Sequence, residues 1–485
     1  MAWLTKSLFL AGAQCPKRLW LEVHRPLPRD ALVPLPVLEG RRVDARVRAL
    51  WPGLVIPRDA GLEAALARTA EALAAGIPAR VYQPAFRAGE RAVIADILEA
   101  RAGSVTLTEV KASTGVRPEH LVDVGYQALV LRGAGVAVDR VQVMHLDPGF
   151  VLRRAEDYEG LVHAADVTPE VERRLPELDA AAEALAEVMA QPREPVVRTG
   201  PHCELPYACP YFDYCRRQEG SEPAYPLEVL KRAPALVRAL RVAGYRDLRE
   251  VPEERLQSDT QRRIHRATLS DEPFIDRAAA RAITGLAYPV AYVDFETLTP
   301  AIPDRVGARP YQSLPFQFSV HVEESSTDVR HAEFLAAGLP VDLEALAATL
   351  VAAIPEEGAV LAYNAGFEEG VLRALAAAVP PHAAALHAIA DRLIDLLPIT
   401  RRAYYHPAMK GSWSFKAVLP TIDASLDYAA LEGVREGSQA QLAFLESIAE
   451  DTPPERRAAL RGQLRRYCGR DTYGMIVLRR FLAGE

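Results

Sequence analysis

Cysteine is scarce in this chain, with 5 among 485 residues, and so few thiols make no disulfide framework. Long apolar runs are missing as well. No stretch approaches the roughly 18 consecutive apolar residues of a membrane-spanning helix, so no membrane partner is expected. Positive charge is not in excess: 57 Lys and Arg stand against 64 Asp and Glu, a net charge of -7. That excludes a chain which coats nucleic acid by bulk charge, while leaving room for a local basic groove. No G-x-x-x-x-G-K-[ST] phosphate loop occurs, so any strand unwinding has to come from a helicase partner. Internal repeats are lacking, as are low-complexity tracts beyond alanine richness. What is present, 49% hydrophobic and 25% charged residues, is the balance of ordinary globular domains. At roughly 100–200 residues per domain, the length suggests two to four of them.

The segment Ser7–Cys15 has the outline of a short secretion signal ending at a lipoprotein cysteine. Its apolar run is too short, Gln14 stands where a small residue is needed, and Lys17 and Arg18 follow at once. A cytoplasmic protein is expected.

Periodicity predicts a helix over Lys6–Leu21, a connection rich in proline (Pro26, Pro28, Pro34, Pro36) and an amphipathic helix over 60–75. The period then changes. Arg91–Glu99 and Ser104–Lys111 alternate around Gly103 and read as a hairpin. A helix over Leu121–Arg132, a strand over Arg140–Leu146 and a helix over Leu175–Ala190 follow. Residues 218–288 read as a polar, helix-rich connector without a strand. Pro289–Glu296 then opens a second α/β unit, with helices over 341–354 and 367–378 and a last helix ending near Leu482.

Chemistry concentrates in three places. Glu109 and Lys111 are two apart on a strand, so alternation puts both on one face. Hairpin pairing brings Asp96 beside them, and Gln127 lies on the helix that follows. Two carboxylates so placed can hold Mg²⁺ with several waters, and the ammonium can orient or deprotonate an attacking water. The bland alternative is an exposed strand face with an ordinary salt bridge. Further on, Cys203, Cys209 and Cys215 fall within 13 residues. Buried structural thiols have no reason to bunch, so a metal or cluster site is expected.

These pieces carry a resemblance. Ala95-Asp96-Ile97, Glu109-Val110-Lys111 and Gly125-Tyr126-Gln127 resemble the RecB-type branch of the PD-(D/E)XK nucleases. With Cys15-Pro16-Lys17-Arg18-Leu19-Trp20 upstream and Cys209-Pro-Tyr-Phe-Asp-Tyr-Cys215 downstream, the region is similar to the iron–sulfur nucleases of CRISPR adaptation and the AddB recombination subunit. The resemblance implies a restriction-endonuclease-like core whose ends are stapled by a [4Fe–4S] cluster on Cys15, Cys203, Cys209 and Cys215. A tetrahedral Zn²⁺ on four cysteines is the chemical alternative. Five residues separate Cys203 from Cys209 where those relatives usually have two, which makes His202 a conceivable substitute ligand. Cys468 reads as an unrelated buried thiol.

The third place is Asp294-Phe295-Glu296, two carboxylates on one face of an apolar strand. Such a pair is costly without a cation. Glu368 opens a later helix, and Tyr467 and Asp471 lie four apart on the last helix, on one face. Four acids fit two-metal phosphodiester hydrolysis. The set resembles the DnaQ-like (DEDD) 3′–5′ exonucleases on an RNase H-like fold, in the variant with tyrosine in its last motif. Asn364-x-x-x-Glu368 carries Glu where that family carries Asp.

Two long loops, Arg309–His321 and Tyr404–Lys416, resemble an uncharacterised bacterial family that joins a RecB-like nuclease to a DnaQ-like domain. Arg309, Tyr311, Gln312 and Gln317 are candidates to line a strand-binding groove near Asp294. His406, Lys410, Trp413 and Lys416 mix charge with an aromatic, as single-strand grooves do. The alternative is that these loops pack their aromatics into the core. The expectation is therefore an α/β chain of three parts: a PD-(D/E)XK nuclease domain over 1–217, a helical connector over 218–288 and an RNase H-fold exonuclease domain over 289–485. It would be a nuclease using Mg²⁺ or Mn²⁺ on DNA, single-stranded or with a free 3′ end. The alternatives are a nucleic-acid-binding scaffold with a relic centre, or an RNA-processing exonuclease.

Overall fold

In the computed structural model, which describes residues 3–28, 33–74, 76–220 and 223–485, the chain divides into two units. The first is Met1–Ser221 with Pro300–Gln312, and the second is Glu222–Thr299 with Ser313–Glu485. Both are mixed α/β. None of the described helices is long and apolar enough to cross a membrane.

Among the described residues, the first unit holds nine strands: β1 Leu4–Thr5, β2 Leu54–Val55, β3 Val81–Tyr82, β4 Ala85–Ala88, β5 Arg91–Ile94, β6 Ile97–Arg101, β7 Ser104–Lys111, β8 Arg140–Leu146 and β9 Val162–Asp166. Six of them form a sheet in the order β2-β3-β6-β7-β8-β9, and β1-β5-β4 form a second, smaller sheet. The antiparallel β6–β7 pair is the expected hairpin, turning at Ala102 and Gly103, both at positive φ. Its first arm is shorter than the sequence suggested. The run 91–99 breaks at Ala95-Asp96, so that β5 and β6 belong to different sheets. The backbone groups at the break bond to a third segment, Ala95 N–H to the Pro84 carbonyl and Gln83 N–H to the Asp96 carbonyl. The kink frees the Asp96 carboxylate to accept from Val110 N–H at 2.9 Å.

The first helix is also divided, into Lys6–Gln14 and Pro16–His24. Pro16 has no N–H to continue the ladder and disfavours helical φ/ψ in the residue before it. Cys15 is accordingly extended, at φ -161° and ψ 120°. Helix Pro118–Gly133 crosses helix Thr168–Ala190 closely, since a Cβ on Gly125 would lie 2.5 Å from the Leu178 side chain. This explains the glycine of the Gly125-Tyr126-Gln127 run by packing. Tyr126 stacks on Phe9 at 4.1 Å and donates to the Leu4 carbonyl at 2.5 Å, tying down the chain just before Lys6.

In the second unit, β10 Phe274–Ile275 pairs with β16 Tyr404–Tyr405. The main sheet comprises β11 Val290–Leu298, β12 Leu314–Glu323, β13 Val329–Leu335, β14 Ala359–Ala362 and β15 Leu393–Asp395, in the order β13-β12-β11-β14-β15. The pairs β11–β12 and β12–β13 are antiparallel, while β11–β14 and β14–β15 are parallel. Residues 222–288 are not a free-standing connector. Leu227, Leu236, Leu240, Leu248 and Ile264 are buried in the same core as Val293 and Phe318, and the segment contains β10. Its apolar residues are spaced for packing against that core, which polar composition alone conceals.

The last helix, Pro454–Ala483, lies across one face of β11 and β12. Its anchor is the buried Glu323, which receives Arg479 at 3.2 Å, Arg480 at 2.6 Å and the Tyr292 hydroxyl. Gln317 donates to the Leu464 carbonyl at 3.0 Å, and Thr472 meets both Ser319 and His321 at 2.7 Å. These bonds fix the rotation of the helix, and hence where Asp471 points.

Candidate functional site

In the first unit, Glu109 and Lys111 share one face of β7, as period-2 alternation requires. The Lys111 ammonium donates to Glu109 Oε1 at 2.7 Å and to Asp123. Gln127 donates to Glu109 Oε2 at 2.7 Å and to Asp123 Oδ1 at 2.9 Å. Lys6 donates to Glu109 Oε1 at 2.8 Å and lies 3.3 Å from Asp123 Oδ1. Asp96, Glu109, Lys111 and Gln127 are thus brought together, joined by Lys6 and Asp123, which the sequence reading did not include. Asp123 was detectable, because it lies four residues before Gln127 and so shares its helix face. Lys6, a single lysine opening a helix in a distant segment, gave no such signal.

The fields here are strong and opposed. Burial pushes the Asp96 carboxyl up to about 7, helped by the neighbouring Glu109 charge. Burial would raise Glu109 too, but Lys6 and Lys111 outweigh it and hold that carboxyl well below its usual range. Burial, with Lys111 nearby, pushes His120 down to about 4, so it is neutral at physiological pH.

The cysteines also converge. Cys15, Cys203, Cys209 and Cys215 line one small cavity together with Arg18, His202 and Tyr211. None is in a disulfide. The longer spacing after Cys203 is absorbed by a loop closed by Cys209 N–H on the Cys203 carbonyl at 2.7 Å, so the two thiols reach the same cavity. Burial raises the thiols of Cys209 and Cys215, and the other cysteines raise them further.

In the second unit, ligand atoms of Asp294, Glu296 and Asp471 all lie within 4.8 Å of one another. Asp294 and Glu296 come from β11, and Asp471 from the last helix. Glu368, in the first turn of helix Gly366–Ala378, is 3% exposed and its Oε2 has no hydrogen-bond partner. Tyr467 is buried beside Asp471, as the spacing predicts. A different tyrosine, Tyr428, donates its hydroxyl to Asp471 and meets the Tyr467 ring edge-on at 6.0 Å. Lys416 lies over both rings at 5.3 and 5.1 Å. Cys468 is buried as expected, yet it is no bystander, since its thiol sits 3.5 Å from Asp294 Oδ2. Tyr428, on a short turn, gave no sequence signal.

Burial and mutual repulsion keep protons on this cluster. Glu296 and Glu368 are pushed up to about 8 and Asp471 to about 6, with burial the largest cause in each case. Asp294 is raised by burial and then by Asp471, Glu296 and Glu368. Four oxygen-only side chains in such a state suit a hard divalent cation. A pH dependence follows. The folded centre retains protons that unfolded carboxyls, titrating at about 4, have already released, so stability falls as pH rises through about 8. In EDTA, the thermal midpoint of the full chain is expected to drop between pH 6 and pH 8.5. Added Mn²⁺ is expected to raise it more at pH 8.5 than at pH 6, and equal shifts at both would contradict this reading.

The residues expected to line a groove beside Asp294 have the following surroundings. Pro300–Gln312 belongs to the first unit. Tyr311 packs there with Val43, Val47 and Ile302 and donates to the Ala112 carbonyl at 2.5 Å. Gln312 accepts from Arg309 N–H at 3.1 Å within that loop, and the Arg309 side chain is exposed. Gln317 is fully buried. Trp413 is likewise a packing residue, its indole donating to the Tyr404 carbonyl at 2.8 Å and its ring against Tyr405. Lys410 stays exposed, at φ 44°. An aromatic flanked by charges serves a folded loop as readily as a groove, and sequence does not separate the two.

Residues 291–414 match the model of a domain of unknown function (DUF2779). No match to a protein of curated function was found for the chain. The matched stretch begins on β11 and includes Asp294, Glu296 and Glu368, but stops short of Asp471.

Proposed function

We propose that the protein is a metal-dependent nuclease with two centres, one in each unit. The observation that carries this reading is the convergence of Asp294, Glu296 and Asp471 within 4.8 Å, with the buried Glu368, whose Oε2 has no hydrogen-bond partner, near Asp471. Like charges this close and this buried are costly without a cation, and nothing in ordinary packing requires them. The strand order β13-β12-β11-β14-β15, with its two antiparallel and two parallel pairs, supports an RNase H-like fold. The β6–β7 hairpin with parallel β8 supports a PD-(D/E)XK core in the first unit.

In the second centre, Asp294, Glu296, Glu368 and Asp471 would hold Mg²⁺ or Mn²⁺, which supplies charge stabilisation and an activated water for phosphodiester hydrolysis. Tyr428 orients Asp471, and the anchored last helix holds that carboxylate against β11. Lys416 brings a positive charge close to Glu296 and Asp471. In the first centre, Asp96 and Glu109 would hold the cation and Lys111 would orient the attacking water. DNA with a single-stranded or 3′ end is the proposed substrate.

The four cysteines would hold a [4Fe–4S] cluster with a structural role. What supports this reading is that Cys15, Cys203, Cys209 and Cys215 line one small cavity from distant parts of the first unit; four thiolates around Zn²⁺ are the chemical alternative. The test of the function is cleavage of end-labelled single- and double-stranded DNA and RNA in Mg²⁺, Mn²⁺ or EDTA. Metal-dependent shortening of DNA from the 3′ end is expected, and no metal-dependent cleavage of any substrate would overturn the proposal.

A further inference from the structure

We infer that Lys6 is a positioning residue of the first centre which stands in for a cation at Glu109 until a divalent ion displaces it. This rests on the proposed metal-dependent reading of that centre. Three donors already occupy Glu109: Lys6 and Lys111 on Oε1, at 2.8 and 2.7 Å, and Gln127 on Oε2 at 2.7 Å. Both acceptor sites of Oε1 are thus taken by ammonium groups, so an ion that binds Oε1 has to displace one of them. Lys111 and Gln127 each also hold Asp123 by a direct hydrogen bond, whereas Lys6 lies 3.3 Å from it, so Lys6 is the donor most readily released.

Charge points the same way: withdrawing the Lys6 ammonium removes one positive charge from beside Glu109 and Asp123, and an arriving cation restores it. The exchange needs only a side-chain movement. The Lys6 side chain is 24% exposed on a flexible stem, while its backbone is held by the Tyr126 bond to Leu4 and the Phe9–Tyr126 stack. The helix that carries Lys6 runs directly to Cys15, and Gln14 at its end donates to the carbonyls of His202 and Tyr207 at 2.7 Å each.

The test measures Mn²⁺ binding by electron paramagnetic resonance, in full-length protein carrying Asp294→Asn and Asp471→Asn so that the second centre is silent. In this background Lys6→Met is expected to bind Mn²⁺ at least tenfold more tightly than the Lys6 protein. Lys6→Gln, which keeps a hydrogen-bond donor without the charge and guards against misfolding of the first variant, should do the same. Asp96→Asn should remove the binding in all of them. Unchanged or weaker binding in folded Lys6→Met and Lys6→Gln overturns the cation-surrogate role and leaves the metal-dependent reading standing. No Mn²⁺ at this centre in any of the proteins overturns both.

Discussion

Asp294→Asn is expected to reduce metal-dependent shortening of 3′ ends by about a thousandfold or more while the fold survives. Asp294 supplies one of three oxygens that meet within 4.8 Å, and a neutral amide cannot replace its charge toward a divalent ion. Losing about 4 kcal/mol of transition-state stabilisation corresponds to about a thousandfold in rate. Stability should hold or rise, because the substitution relieves repulsion from Glu296, Glu368 and Asp471 in the metal-free protein. Rates on 3′-labelled single strands, with thermal midpoints in EDTA, give both readings. A variant that loses activity only by unfolding would contradict the assignment. Cleavage dependent on Lys111 should persist in it, because Lys111, Asp96 and Glu109 belong to the other unit.

Cys15→Ser is expected to cost the first unit most of its stability. Cys15 shares one cavity with Cys203, Cys209 and Cys215. A cross-link between Cys15 and Cys203 closes a loop of about 190 residues, and constraining the unfolded chain to that extent is worth about 5 kcal/mol. That is comparable to the whole stability of many domains. Limited proteolysis should show rapid loss of the first unit in Cys15→Ser protein, while Cys468→Ser leaves it intact. Anaerobically purified wild-type protein should be brown, with roughly four irons per chain. Stoichiometric zinc in a colourless, folded protein would refute the cluster.

Legibility in the sequence followed the range of the physics involved. Short periods were readable, so β7, β8, β11 and the helices near 343 and 366 lie where periodicity puts them, and the last helix ends at Ala483, close to the expected Leu482. Carboxylates two apart on a strand, or a tyrosine and an aspartate four apart on a helix, announce a shared face by arithmetic alone. The break at Asp96 was not readable, because it depends on Pro84 and Gln83 capturing the backbone of a run that alternates smoothly. Lys6 and Tyr428 were invisible for a similar reason. Each reaches its centre from a segment whose local pattern says nothing about the acids it meets. In the loop 300–312, Tyr311 is used in packing and Gln312 in a turn bond, roles that a sequence pattern suited to a groove does not reveal.

The most direct measurement is the product pattern from a single end-labelled DNA strand cut by four proteins in Mn²⁺: wild type, Asp96→Asn, Asp294→Asn and the double variant. Two independent centres predict that each single variant loses one class of product and keeps the other, and that the double variant cuts nothing. Wild-type products from the double variant, or loss of every product in both single variants while they remain folded, would contradict the account.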